Sequence, residues 1–256
     1  MKEKLMPVFV LAAAVGLFTT CKEETEDPNL KMGYEYFPLE QGRVWVYAVD
    51  TIVYDPAVGG TAVDSVRVYF RDEVLDSIAA EDGEVQYRVD RQIGNSDAGP
   101  WAPHNVYYLS RNDRNAYLTE DNLRFNKLIF PLQPGKKWNG TGAFEEFKEV
   151  EIAGERLEMF KGWESRTAPV IPSLVLDNLA FENVQPVQVA DYEAIIERRY
   201  GLEYYAPNAG LIYRELWILD SQCQVCCNGD LGACDGLPWR DKAEKGFIFR
   251  QQLIIN

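Results

Sequence analysis

The chain has 256 residues, 40 acidic against 26 basic, and a formal net charge of −14 at pH 7. A surface this acidic repels phosphate backbones and anionic headgroups, which excludes nucleic acid as a partner. His104 is the only histidine, and no G-x-S-x-G elbow accompanies it, so a serine-hydrolase triad has no basis.

Lys2 and Lys4 precede an uncharged, largely apolar run from Leu5 to Phe18. That run is shorter than the roughly 20 residues needed to cross a bilayer. It fits the apolar segment of a secretory signal, removed on export. The next residues, Phe18-Thr19-Thr20-Cys21, resemble a lipobox, although Leu is commoner than Phe at the first position. The resemblance implies cleavage before Cys21 and lipid on that cysteine. More than one acyl chain gives a stable anchor, whereas a single chain binds only marginally. Removing residues 1–20 takes away Lys2, Glu3 and Lys4, a net +1, and leaves a mature charge of −15.

Lys22-Glu23-Glu24-Thr25-Glu26-Asp27 has nothing to bury and reads as a charged tether. Lys22, Glu23 and Glu24 also resemble the surface-export signal of Bacteroidota lipoproteins, a Lys and two acidic residues directly after the lipidated Cys. The resemblance implies an outer-membrane lipoprotein facing the cell exterior. Residues 1–20 are thus read as signal peptide, 21–33 as lipidated acidic tether and 34–256 as one β-rich domain.

Beyond the tether, period-two alternation recurs. It is clear in Val44 to Val49, Val66 to Arg71 and Val85 to Asp90. Further strand-like runs are Val106 to Ser110, Val150 to Ile152, Leu157 to Phe160, Leu211 to Leu219 and Phe247 to Ile255. Gly59-Gly60, Asp82-Gly83, Gly99-Pro100 and Asn139-Gly140 supply turns between them. Ala190 to Arg199 alone could be helical, and its neighbours favour a strand there too. The expected class is mainly β, with antiparallel sheets forming a sandwich or an open barrel-like domain and little helix. No βαβ alternation or phosphate-binding loop interrupts it.

One pattern repeats. Phe37-Pro38-Leu39, Gly42 and Trp45 match Phe130-Pro131-Leu132, Gly135 and Trp138, giving two related segments that start near 36 and 129. Pro fixes φ, Gly permits a positive φ in the turn, and Trp enters the next strand and buries its ring. Both indoles are expected to be buried in equivalent positions.

Tyr36 to Tyr47, Lys127 to Asn139, Glu203 to Glu215 and the closing Gly246 to Ile255 together resemble a group of Bacteroidota surface lipoproteins. These share a YFPL-x-x-G-x-x-W opening and the internal repeat. The resemblance implies a compact β-rich surface domain and carries over no catalytic residue.

Four cysteines, Cys223, Cys226, Cys227 and Cys234, lie between two strand-like runs. An even number in an exported chain suggests disulfides. Adjacent Cys226 and Cys227 would have to close a strained ring. That leaves Cys223–Cys226 with Cys227–Cys234, or Cys223–Cys227 with Cys226–Cys234. A metal site lacks the usual two-plus-two spacing, and a redox Cys-x-x-Cys lacks a thioredoxin-like βαβ frame. Asn228, Asp230 and Asp235 in the same loop do not match the EF-hand spacing and read as polar turns. No metal or cofactor is expected.

Trp101, Trp163 and Trp239 lie near loop signals and are candidates for stacking on sugar rings. Asp50-Thr51-Ile52, Asp64-Ser65-Val66 and Asp76-Ser77-Ile78 resemble the acceptor pattern for O-glycosylation of exported Bacteroidota proteins, with Thr51, Ser65 and Ser77 as acceptors; plain strand alternation explains them equally. The function expected is non-enzymatic: a membrane-anchored surface protein, structural or binding, meeting a glycan or protein partner. The alternatives are a carbohydrate-binding accessory lipoprotein and an apolar-ligand carrier. Exposed, coplanar indoles would favour the first, and a lined, continuous cavity the second.

Overall fold

The structure is a computed structural model. It describes residues 31–79 and 83–255. Cys21, Lys22, Glu23 and Glu24 lie outside the described residues, as does the signal segment.

Lys31 onward forms a compact unit. A single 3-10 turn, Tyr34–Tyr36, leads into four long strands, β1 (Val44–Ala57), β2 (Gly60–Ala79), β3 (Val85–Gly94) and β4 (Ala102–Arg111). Two shorter ones follow, β5 (Asn115–Glu120) and β6 (Leu123–Ile129). A more broken stretch holds β7 (Lys137–Trp138), the hairpin β8 (Glu149–Ile152) and β9 (Glu155–Glu158), then β10 (Ser165–Thr167) and β11 (Ile171–Leu176). The chain then runs through β12 (Leu179–Glu193), β13 (Glu197–Ala206) and β14 (Gly210–Asp220). Three short helices intervene, α1 (Gln224–Cys227), α2 (Leu231–Asp235) and α3 (Trp239–Lys242), before β15 (Lys245–Ile255).

All strands but β8 and β9 belong to one antiparallel sheet, in the order β6-β5-β4-β3-β2-β1-β15-β14-β13-β12-β10-β7, with β11 beside β12. The last strand therefore pairs with the first, β15 on β1. The two ends of the sheet also meet. The Asn126 N–H of β6 donates to Gly140 O just past β7, 2.8 Å, and the Trp138 indole N–H donates to Asn126 O, 2.8 Å. The result is a nearly closed barrel, one of the two arrangements expected, rather than a sandwich of two sheets. Closure of this kind leaves few unpaired edges.

Alternation explains how these strands sit. In β3 the run Tyr87, Val89, Arg91 and Ile93 turns one way, and Val89 is fully buried. In β14, Ile212, Leu216 and Ile218 do the same. Apolar side chains from nearly every strand meet in one core, with Trp45, Val74, Leu128, Val187 and Leu253 among them. A smaller cluster of Tyr54, Leu219, Trp239, Ala243 and Ile248 lies under the helices. Ala190 to Arg199 spans the end of β12 and the start of β13 and is not helical. The helices fall instead in the cysteine loop, where no helical periodicity marks them. Among the described residues no helix is long and apolar enough to cross a membrane.

Candidate functional site

The inward face of the barrel carries charge. Register places Asp72 of β2 opposite Arg91 of β3, and Glu203 of β13 opposite Arg214 of β14. The Arg91 guanidinium grips Asp72 with two bonds of 2.8 Å, and the Tyr107 hydroxyl donates to the same carboxylate at 2.9 Å. Arg91 also stacks over the rings of Phe70 and Tyr107, 4.7 and 4.9 Å from their centroids. Glu203 accepts from Lys127, from Arg214 at 2.8 Å and from the Tyr205 hydroxyl at 2.6 Å. Lys127 stands on β6, which is not a sheet neighbour of β13, so this bond crosses the interior. Asp72 and Glu203 are each only 1% exposed.

Burying these charges is costly unless each is paired and hydrogen-bonded. The pairing here reaches both carboxylates, each with a cationic partner and a tyrosine hydroxyl. Burial alone raises the pKa of Glu203, but attraction to Lys127 and then to Arg214 outweighs it and holds the carboxyl down at about 2. Burial pulls the Lys127 ammonium down to about 8, against the attraction of Glu203. Burial, then the neighbouring carboxylates, push the Tyr107 and Tyr205 hydroxyls well above their usual range. Both stay protonated and serve as donors to Asp72 and Glu203.

Two cavities flank this network and share Leu118, Lys127 and Arg214. The inner one, about 50 Å³, is lined by Trp45, Tyr47, Asp72, Arg91 and Gln251 among others. Holding one water takes roughly 10–15 Å³, so it has room for solvent. The outer one is a cleft of about 350 Å³. Leu123, Phe125, Met159, Phe160 and Trp163 form its apolar wall, and Lys127, Glu203 and Arg214 its floor. Asp121, Lys148 and Glu149 at its lip are exposed, so it reaches solvent. The wall is an aromatic cluster. Phe144 and Phe160 meet edge to face at 4.9 Å, as do Phe160 and Trp163 at 5.2 Å. The Trp163 indole N–H is buried and has no hydrogen-bond partner.

The sequence candidates fall in separate places. Trp163 belongs to the main core and lines the cleft. Trp239 is buried in the small cluster, donates to Glu193 at 2.9 Å and lies under Lys242. Trp101 is half-buried beside Gly94 and Gly99. The three therefore present no common exposed face. His104 is in β4, exposed and stacked on Phe70 at 5.2 Å. Thr51 is half-buried in β1, and Ser65 and Ser77 are exposed on β2. Asp230 caps α2 by accepting from Gly232 and Ala233, which fits a polar turn.

The cysteines pair in neither expected way. Cys223 is joined to Cys234, and Cys226 and Cys227 are free thiols. The expectation assumed that all four are oxidised. The short helices instead bring the ends of the loop together and leave the adjacent pair out of the bond. The sulfurs of Cys223, Cys226 and Cys234 lie within 4.8 Å of one another. Three such atoms could ligate a metal as thiolates, but the Cys223–Cys234 bond removes two of them from that form.

The charged interior was missed from sequence. Its signal was a charged residue on an apolar face: Asp72 between Phe70 and Val74, and Arg91 between Val89 and Ile93.

No protein-family model matches the sequence, and no curated protein matches it significantly. Among solved structures, the chain is similar to a "putative lipoprotein" from Parabacteroides distasonis, at 13% identity over 85% of this chain and 96% of that one, with a TM-score of 0.37. It is also similar to a "putative exported protein with YmcC-like fold" from Bacteroides fragilis, at 12% identity over the same shares, with a TM-score of 0.36. Likeness at these scores carries no argument about the role of this chain.

Proposed function

We propose that the chain is an exported, lipid-anchored surface protein without catalytic activity, whose barrel binds a small amphipathic molecule. The anchor rests on the signal-like segment ahead of Cys21. The binding reading rests on the cleft, where an aromatic wall stands over a hydrogen-bonding floor. Its volume, about 350 Å³, falls in the roughly 300–1,000 Å³ range of small-molecule sites. Acidic Glu120, Asp121, Glu149 and Glu203 offset Lys127, Lys148 and Arg214 around it. A ligand with an apolar body and an uncharged polar end suits it better than a strong anion. Phe125, Phe160 and Trp163 take the apolar body, and the charged floor faces the polar end.

The carbohydrate reading has less support, because Trp163 and Trp239 are buried in different clusters. The test is a titration with the apolar fluorophore N-phenylnaphthylamine. Saturable enhancement is expected, and it should be lost on Met159→Lys, which puts a charge at a half-buried position in the wall. Enhancement that never saturates, or that survives Met159→Lys in a variant with wild-type melting, sinks the reading.

A further inference from the structure

The cysteine loop holds four sulfurs in one cluster. Cys226 Sγ lies 3.8 Å from Cys234 Sγ, which is bonded to Cys223, and 2.8 Å from Cys227 Sγ. Cys226 thus touches both the disulfide and the other free thiol. We propose that this loop is a thiol–disulfide exchange site, in which Cys226 is the attacking thiol and Cys234 the sulfur attacked.

The step balances without any oxidant. The Cys226 thiolate attacks Cys234 Sγ, and the Cys226–Cys234 bond forms as the Cys223–Cys234 bond breaks. The electron pair leaves on Cys223, which takes up a proton in place of the one Cys226 gave up. One disulfide and two thiols are present before and after.

Two features of the loop favour that step. The Cys227 S–H donates to Cys226 Sγ, which holds that sulfur between the second thiol and the disulfide. The Cys227 thiol itself is pushed up to about 11, first by this hydrogen bond, so it acts as donor and not as nucleophile. The loop backbone is clamped: Glu244 accepts from Gln222 N at 2.8 Å and from Val225 N at 2.9 Å. Exchange therefore needs side-chain rotation and little else.

The test is pulsed alkylation of the purified full chain with N-ethylmaleimide, acid quench, and peptide mapping without reduction. Two linked forms are expected, Cys223–Cys234 with label on Cys226, and Cys226–Cys234 with label on Cys223. Cys226→Ser should abolish label on Cys223, while Cys227→Ser should keep both linked forms. The proposal fails if Cys223 labels no more in wild type than in Cys226→Ser. It fails equally if Cys226 and Cys227 prove bonded to each other, or if the chain carries one equivalent of zinc.

Discussion

Gly42 and Gly135 make the same backbone bonds in two separate turns. Gly42 N–H donates to Val74 O, and Gly135 N–H to Thr167 O, both at 2.8 Å. The partner residues answer alike: Val74 N–H donates to Arg43 O at 2.9 Å, and Thr167 N–H to Lys136 O at 3.0 Å. Their φ angles are +83° and +80°. No atom lies within 4 Å of a Cβ built on either glycine. The cost of Gly42→Ala and Gly135→Ala is therefore a backbone cost, about 1–2 kcal/mol each. Denaturant unfolding should give nearly equal losses, and clearly unequal ones would show that the turns are not equivalent.

The tryptophans that follow these turns differ. Trp45 enters the long strand β1, is 4% exposed and donates to Ala209 O at 2.7 Å. Trp138 enters two-residue β7 and is only half-buried. Equal burial was expected from the repeat, but β7 is too short to carry its indole fully into the core. Trp45→Ala should cost about 3–5 kcal/mol, Trp138→Ala clearly less, and Trp101→Ala least. Thermal melts of the three variants check that order.

The strands with one wet face and one dry face were legible, because Val85 to Asp90 and Val66 to Arg71 alternate plainly. The pair β5 and β6 was not, since Arg124, Asn126 and Lys127 break the apolar pattern. Lys127 turns inward all the same, because Glu203 waits across the barrel, 76 residues away in sequence. Such a partnership exists only once β15 has paired with β1 and the sheet has curled. The site is for that reason far less legible than the fold. Trp163, picked out for a sugar-stacking role, does line the cleft, but the cleft's charged floor had no local signature.

Glu203 and Lys127 should respond unequally to mutation. Glu203→Gln leaves Lys127 and Arg214 buried without their hydrogen-bonded carboxylate, Glu120 acting on them only through space, and breaking a buried pair this way costs about 3–5 kcal/mol. Lys127→Met leaves Glu203 still held by Arg214 and Tyr205, so its cost should be smaller. Chemical denaturation of both variants decides the matter, and an equal or reversed order would contradict the network described here.

The same carboxylate sets an acid dependence. Glu203 is held near 2 in the folded chain, below the ordinary 4.5. As pH falls below that ordinary value, the unfolded chain takes up a proton first, so unfolding is favoured. The stability contributed by Glu203 is present above about 4.5 and is lost as pH falls towards 2. A shift of this size corresponds to something on the order of 3 kcal/mol. Unfolding curves between pH 5 and pH 2 should be steeper in pH for wild type than for Glu203→Gln. Parallel curves would mean that another group carries the acid response.

Anchoring and orientation separate into two variants. Cys21→Ala removes the atom that would carry the acyl chains. Each buried methylene is worth about 0.8 kcal/mol, so losing the chains removes the membrane affinity outright. The variant should leave the membrane fraction, and normal retention would exclude the lipid anchor. Changing Lys22, Glu23 and Glu24 together to Ala keeps the anchor and alters only the residues after it. If those three direct export to the cell surface, the triple variant stays in the membrane fraction but resists protease added to intact cells. Unchanged shaving would reduce the segment to a charged spacer. Loss from the membrane would place the three residues in lipidation itself.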